Sequence, residues 1–235
     1  MVNIQIIEKT ITEVINTKCH VTLKQVRSSI QQTIKLISDN TEEYDALMDI
    51  IPRFYRDYYN KKQESLLIQD YDGNKYTSDG TINKVQHPKQ AEEIGEKEGL
   101  LLSIHNHPGG CSLLSSNDVY NSGRLNEKYS MVVSKDGVTI LKNSNPYDLD
   151  PLRDVTWKWT SVTFPKISKP IENSEEYKKI VADYFDGKIP QLEMIEAESK
   201  LTSKFIDAHR IEIYSELQNV FNKNNLPITI NYIKV

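Results

Sequence analysis

The sequence predicts an α/β (α+β) protein in which a central mixed β-sheet is flanked by helices, and three observations carry that expectation. Between about residues 62 and 145, short apolar runs alternate with helical patterns in the order strand, strand, helix, strand, helix, strand, strand. On both sides of this stretch, apolar residues recur at helical spacing instead. The composition can fill such a core: 38% of the 235 residues are hydrophobic and 26% charged, with nine Gly and nine Pro, which excludes collagen-like and disordered chains. A mean hydropathy of −0.55, and 13 tyrosines against 5 Phe and 2 Trp, point to a modest core with long polar helices.

Residues 1–61 read as a helical extension. In IQIIEKTITEVI the apolar positions Ile4, Ile7, Ile11 and Val14 or Ile15 form one stripe, and Leu23, Val26, Ile30, Ile34 and Ile37 repeat it. SDN is the expected stop, with the hydroxyl of Thr41 capping the next helix, EEYDALMDII. Pro52 is expected to kink or end that helix before the Tyr-rich RFYRDYYN.

Residues 62–145 read as one compact α/β sheet domain. ESLLIQDYDGNKYTS is a hairpin or two successive strands around the DGN turn. HPKQAEEIGEKEG is a helix, with Pro88 where a first turn tolerates it and Gly99 where a helix stops. LLLSIHNH is a short buried strand, SSNDVYNSGRL a helix, and KYSMVVSKDGVTILKN a hairpin turning at Asp136 and Gly137. Residues 146–235 read as a connector, two helices and a terminal strand. Pro146, Pro151, Pro165 and Pro170 suggest an extended connector on the surface, along which Trp157 and Trp159 would face one side while Lys158 faces the other. A helix capped by Ser174 follows, then a longer one from about Gln191 to Asn222, and LPITINYIKV closes the chain as a strand suited to a free sheet edge.

No apolar run approaches the roughly 20 residues of a membrane helix, and acids interrupt the first apolar stretch, so neither a membrane span nor a secretory signal is expected. A cytoplasmic protein follows, in which Cys19 and Cys111 are reduced thiols. The net charge of −4 and pI of about 5.8 weigh against broad nucleic-acid binding.

The chemistry lies in HNHPGGCSLLSSND. His105 and His107 are two apart at a strand end, a period that places both imidazoles on one face. Ser115 is a good helix cap, so Asp118 would sit in the first turn with its carboxylate directed back toward the cap. Two imidazoles and one carboxylate suit zinc with a fourth position left for water, the mark of a catalytic site. Cys111 reads as a small loop residue between the ligands, and His20, His87 and His209 as surface or capping residues.

His105-x-His107-Pro108, six intervening residues and Ser115-x-x-Asp118 resemble the metal-binding signature of the JAMM (MPN+) zinc metalloprotease family, with its spacing unbroken. The resemblance covers only the central part of the chain and implies a cytidine-deaminase-like core. It also implies one zinc ion held by His105, His107 and Asp118, and a Ser115 hydroxyl that bonds the developing oxyanion. The family's upstream glutamate is best matched by Glu64, expected to take a proton from zinc-bound water and pass it to the leaving amine. Its competitors Glu92, Glu93, Glu96 and Glu98 fall on a helix where a charge run reads as a solvated face.

Asn106 stands where deubiquitinating members carry Ser or Thr, and HNHP is similar to the RadC-like bacterial branch. With the short interval from Glu64 to His105, this suggests a minimal prokaryotic or viral version. The implied activity is a zinc-dependent isopeptidase or peptidase acting at the C-terminal tail of a ubiquitin-like or other small protein, which would be its partner, with the terminal helices free to join a second copy or another protein. Two alternatives remain: a non-catalytic scaffold of the MPN type, and a RadC-like protein associated with DNA repair or mobile elements.

Overall fold

The computed structural model describes residues 23–82, 84–108, 112–145 and 149–234 of the chain. The stripe at Ile4–Ile15, His20, Cys19 and Cys111 lie outside them. The first two described helices are α1 (Leu23–Ile37) and α2 (Thr41–Tyr58). A hairpin of β1 (Ser65–Gln69) and β2 (Lys75–Asp79) follows, then α3 (Lys89–Glu98), β3 (Leu100–Asn106), α4 (Ser116–Arg124), β4 (Glu127–Ser134) and β5 (Gly137–Asn143). Next come α5 (Leu149–Lys158), a π-helical turn at Trp159–Thr163, α6 (Phe164–Glu172), α7 (Glu175–Phe185), α8 (Gln191–Lys223) and β6 (Ile228–Lys234).

The strands form one six-stranded sheet in the order β2-β1-β3-β4-β5-β6. Only β3 and β4 are parallel, joined by the crossover through α4; the other pairs are antiparallel, so the sheet is mixed. The terminal strand pairs with β5 over seven positions, from Gly137↔Lys234 to Asn143↔Ile228, and occupies the sheet edge that a hairpin alone would leave open.

Strand alternation then divides the core. Leu102, Ile104, Met131 and Val133 pack under α1 and α2 through Ile30, Ile34, Leu47, Ile51 and Phe54. Val132, Leu141 and Ile228 pack under α4, α5 and α8 through Val119, Leu152, Val155, Leu217 and Phe221. Ala91 of α3 covers Leu66, Ile68 and Leu100. Each such aliphatic side chain contributes about 1.5–3 kcal/mol on burial, which is what holds helices on both faces of the sheet.

Three expectations need correction. The cap of α2 is Asn40, whose Oδ1 accepts from the N–H of Glu43 at 2.9 Å, and not Thr41, which is already helical. Pro52 does not end α2, because Ile50, Ile51, Phe54 and Tyr55 on both sides of it are buried and outweigh the cost of about 3 kcal/mol that an interior proline carries through its missing N–H and its ring clash. From Leu149 the stretch after β5 is helical rather than extended, and Pro146 lies outside the described residues. Pro151 falls in the first turn of α5, where no N–H is needed, while Pro165 comes just after the π-helical turn and Pro170 lies inside α6; Leu152, Val155 and Trp159 recur at helical spacing and are buried, which holds the run helical. Trp159 is 3% exposed and Trp157 is 64% exposed, a separation made by helix periodicity rather than strand alternation.

Candidate metal centre

β3 is buried along its whole length, and the N–H of His107 donates to the Val133 carbonyl at 2.8 Å, which carries the pairing with β4 one residue past the strand. His105 and His107 therefore keep strand geometry and project on one side. Their Nε2 atoms lie 3.1 Å apart. Asp118 Oδ1 is 3.4 Å from His105 Nε2, and Oδ2 is 3.7 Å from His107 Nε2. Among the described residues these three form a group of possible metal ligands whose donor atoms all lie within 4.8 Å of one another. Two Zn–N bonds of 2.0–2.1 Å at a tetrahedral angle place their donors about 3.3 Å apart, close to the separations here, so the donor set fits zinc.

Asp118 is delivered by the start of α4. Ser115 Oγ accepts from the N–H of Asp118 at 3.1 Å, and Asp118 Oδ2 accepts from the N–H of Ser115 at 2.7 Å, a reciprocal capping box. The carboxylate is thus oriented by a second bond while Oδ1 faces His105, the arrangement by which outer contacts fix a metal ligand. Burial works against its charge, but His105, His107 and the Ser115 N–H outweigh it and hold the carboxyl well below the usual carboxylate range. Burial likewise opposes protonation of His105, and Asp118, with Glu64 and Glu127 farther off, overrides it and raises its pKa. Carboxylates clustered around an imidazole attract a cation, whether a proton or a metal ion.

Glu64 precedes β1 and is fixed by its backbone: its N–H donates to Thr81 and its carbonyl accepts from Gly80, both at 2.8 Å. The side chain is half-buried in the same cleft as His105, His107, Ser115 and Asp118. Desolvation raises its pKa; His105 opposes this, Asp118 adds to it, and a bond from the Val85 N–H lowers it. A carboxylate whose pKa moves toward neutrality is suited to exchange protons. The competing glutamates are elsewhere: Glu92 and Glu96 pair with Arg124 at 2.8 and 2.7 Å, Glu93 stands 3.9 Å from Lys89, and Glu98 is exposed.

Asn106 is a contributor that sequence reading missed. It is fully buried; its Oδ1 accepts from the N–H of Ser65 at 2.7 Å and its Nδ2 donates to the carbonyl of Gln63 at 3.0 Å, so one amide holds the peptide groups on both sides of Glu64. The cleft, about 750 Å³, extends beyond these residues to Ser103, Ser130, Glu127 and His87, and one wall is the N-terminal half of α8 through Ile195, Glu198, Thr202 and Ser203. His87 therefore lines the cleft rather than the outer surface, with its side chain 16% exposed. His209 lies on α8, 3.5 Å from Glu212. Among the described residues no helix is long and apolar enough to cross a membrane. No protein-family model, curated protein or solved structure matches the chain.

Proposed function

We propose that this chain is a zinc-dependent hydrolase of amide or isopeptide bonds, built as a minimal JAMM-type enzyme and acting on the tail of a ubiquitin-like or other small protein. The observation that carries the reading is the convergence of His105, His107 and Asp118 donor atoms within 4.8 Å, in a cleft that also holds Glu64 and Ser115.

Zinc held by those three side chains would supply Lewis-acid polarisation of the scissile carbonyl and an acidified water. Glu64, placed beside them with its pKa raised, accepts the proton of the attacking water and returns it to the leaving amine. Ser115 spends its N–H on Asp118, and its Oγ accepts from Asp118 N–H, so the hydroxyl hydrogen is the group it can offer to a developing oxyanion. The side chains of His107 and Asp118, 21% and 17% exposed, let a substrate approach from the cleft. Four carboxylates, Glu64, Asp118, Glu127 and Glu198, line that cleft against one lysine, Lys84, which favours a polypeptide over a nucleic-acid backbone.

The test combines metal content with turnover. Purified protein is expected to carry one zinc per chain and to cleave fusions bearing a ubiquitin-like tail. Glu64→Gln should keep the zinc and lose roughly a hundredfold or more in kcat, and His107→Ala should lose the zinc. Equal turnover by Glu64→Gln would remove Glu64 from its role, and a metal-free protein whose partner binding ignores His107→Ala would indicate a scaffold instead.

A further inference from the structure

The floor of the cleft continues past the metal donors. Ser103 lies two residues before His105 on β3, so it shares that face of the sheet about 7 Å farther along the strand. Ser130 is its partner across the β3–β4 ladder, and Glu127 opens β4. All three line the cleft and are buried, Glu127 to 1% exposure. Ser103 Oγ donates to Glu127 Oε2 at 2.6 Å, and Ser130 Oγ stands 3.3 Å from Ser103 Oγ. The other carboxylate oxygen, Oε1, accepts no hydrogen bond among the described residues. His87 Nε2 is 3.8 Å from it, beyond hydrogen-bonding distance.

A buried carboxylate with one oxygen unmatched is costly in the free protein and gains most from a charged donor. A neutral N–H would fill the hydrogen bond and leave the charge uncompensated. An anion would meet the four carboxylates of the cleft. A second metal lacks ligands here, since among the described residues the group of three close donors is His105, His107 and Asp118.

We propose that Glu127, supported by Ser103 and Ser130 and flanked by His87, is a subsite for an ammonium or guanidinium group of the substrate, on the floor of the cleft that also holds the metal donors. Its place beside a scissile bond rests on the hydrolase reading above; its capacity to bind a cation does not. The charge can come from a basic side chain near the cleaved bond or from a free α-amino terminus, and both offer the same chemistry.

Three probes separate these sources on the zinc-loaded full chain: Nα-acetyl-lysine amide, norleucine amide and the uncharged Nα-acetyl-norleucine amide. Binding is followed by calorimetry and by the imidazole resonances of His87. At least one charged probe should bind about tenfold or more tightly than the uncharged one and shift His87. The lysine probe reports a side-chain subsite and the norleucine amide an amino-terminal one. Glu127→Gln, which keeps the size of the group and can still accept from Ser103, should erase the preference. If that variant does not fold, Ser130→Met, which fills the floor, should erase it instead. No preference in the native protein, or a preference that survives the substitution, overturns the proposal. Zinc binding and hydrolysis without cation preference would overturn the subsite alone; cation preference without zinc would overturn the hydrolase reading and leave the subsite standing.

Discussion

Asn106 sits between two histidines and directs its amide away from them, onto the peptide groups on both sides of Glu64 at the entry to β1. Its bond from the Ser65 N–H is buried and its bond to the Gln63 carbonyl partly so, and Ala at this position would leave the buried Ser65 N–H unmatched, at about 1–3 kcal/mol. Asn106→Ala is therefore expected to keep its zinc and lose roughly tenfold in kcat with little change in KM, because a base that wanders no longer meets the attacking water in the right geometry. The acid limb of the pH–rate profile should move as well: as the proposed base Glu64 would work only when ionised, so activity would rise with pH through its raised pKa, and a looser, better hydrated Glu64 would shift that rise to lower pH. A change in KM alone, with kcat and the acid limb unmoved, would show that Asn106 serves binding instead. The convergence of His105, His107 and Asp118 and the Ser115 cap were legible because all four lie within 14 residues, where strand period and cap spacing fix orientation. The role of Asn106 was not, because its partners are 41 and 43 residues away.

At the scale of elements, α8 does two jobs with one helix. Its C-terminal half buries Ile213, Leu217 and Phe221 against the sheet, while its N-terminal half walls the cleft. Between them Arg210 occupies a core position of the stripe, 5% exposed, where it pairs with Asp136, donates to Ser112 Oγ at 3.1 Å and lies over the Tyr232 ring at 4.2 Å. One guanidinium so connects α8, the β4–β5 turn, β6 and the segment leading to Ser115. Removing it takes the charge partner from Asp136, whose Oδ1 still accepts from the Ser112 N–H and the Ser134 hydroxyl, and Arg210→Ala is expected to cost about 3 kcal/mol in urea denaturation. Arg210→Lys should recover only part of that, since a single ammonium cannot reproduce the fork and the stack together; full recovery would mean that charge alone matters. The start of α7 was readable from the Ser174 cap, and α8 from its helical pattern between about Gln191 and Asn222. The helices at 149–172 were not, because Pro151, Pro165 and Pro170 look like breakers until the buried Leu152, Val155 and Trp159 show which side faces the core.

For the whole molecule, strands β1–β5 and the helices α3 and α4 fall within residues 62–145, but the sixth strand and the helices α1, α2, α5 and α8, which complete the cover of both faces, come from outside that span. Residues 62–145 expressed alone would expose Leu102, Ile104, Met131 and Val133 on one face and Val132 and Leu141 on the other, along with the β5 edge. That fragment is expected to aggregate or bind hydrophobic dyes, whereas the full chain unfolds cooperatively; a soluble, cooperatively folding fragment would contradict this. The sequence by itself determined what depends on neighbours along the chain: strand and helix periods, the Gly99 stop, the Asp136–Gly137 turn, the Ser115 cap and the side chains these bring together. Only the tertiary structure decided what depends on residues far apart meeting: Asn106 on the peptide groups flanking Glu64, Glu127 beneath Ser103, Arg210 on Asp136, and α8 across the cleft. The division has a physical cause. Local torsions and cap bonds are set within a few residues, while the burial that places a distant side chain is set by the packing of the entire sheet.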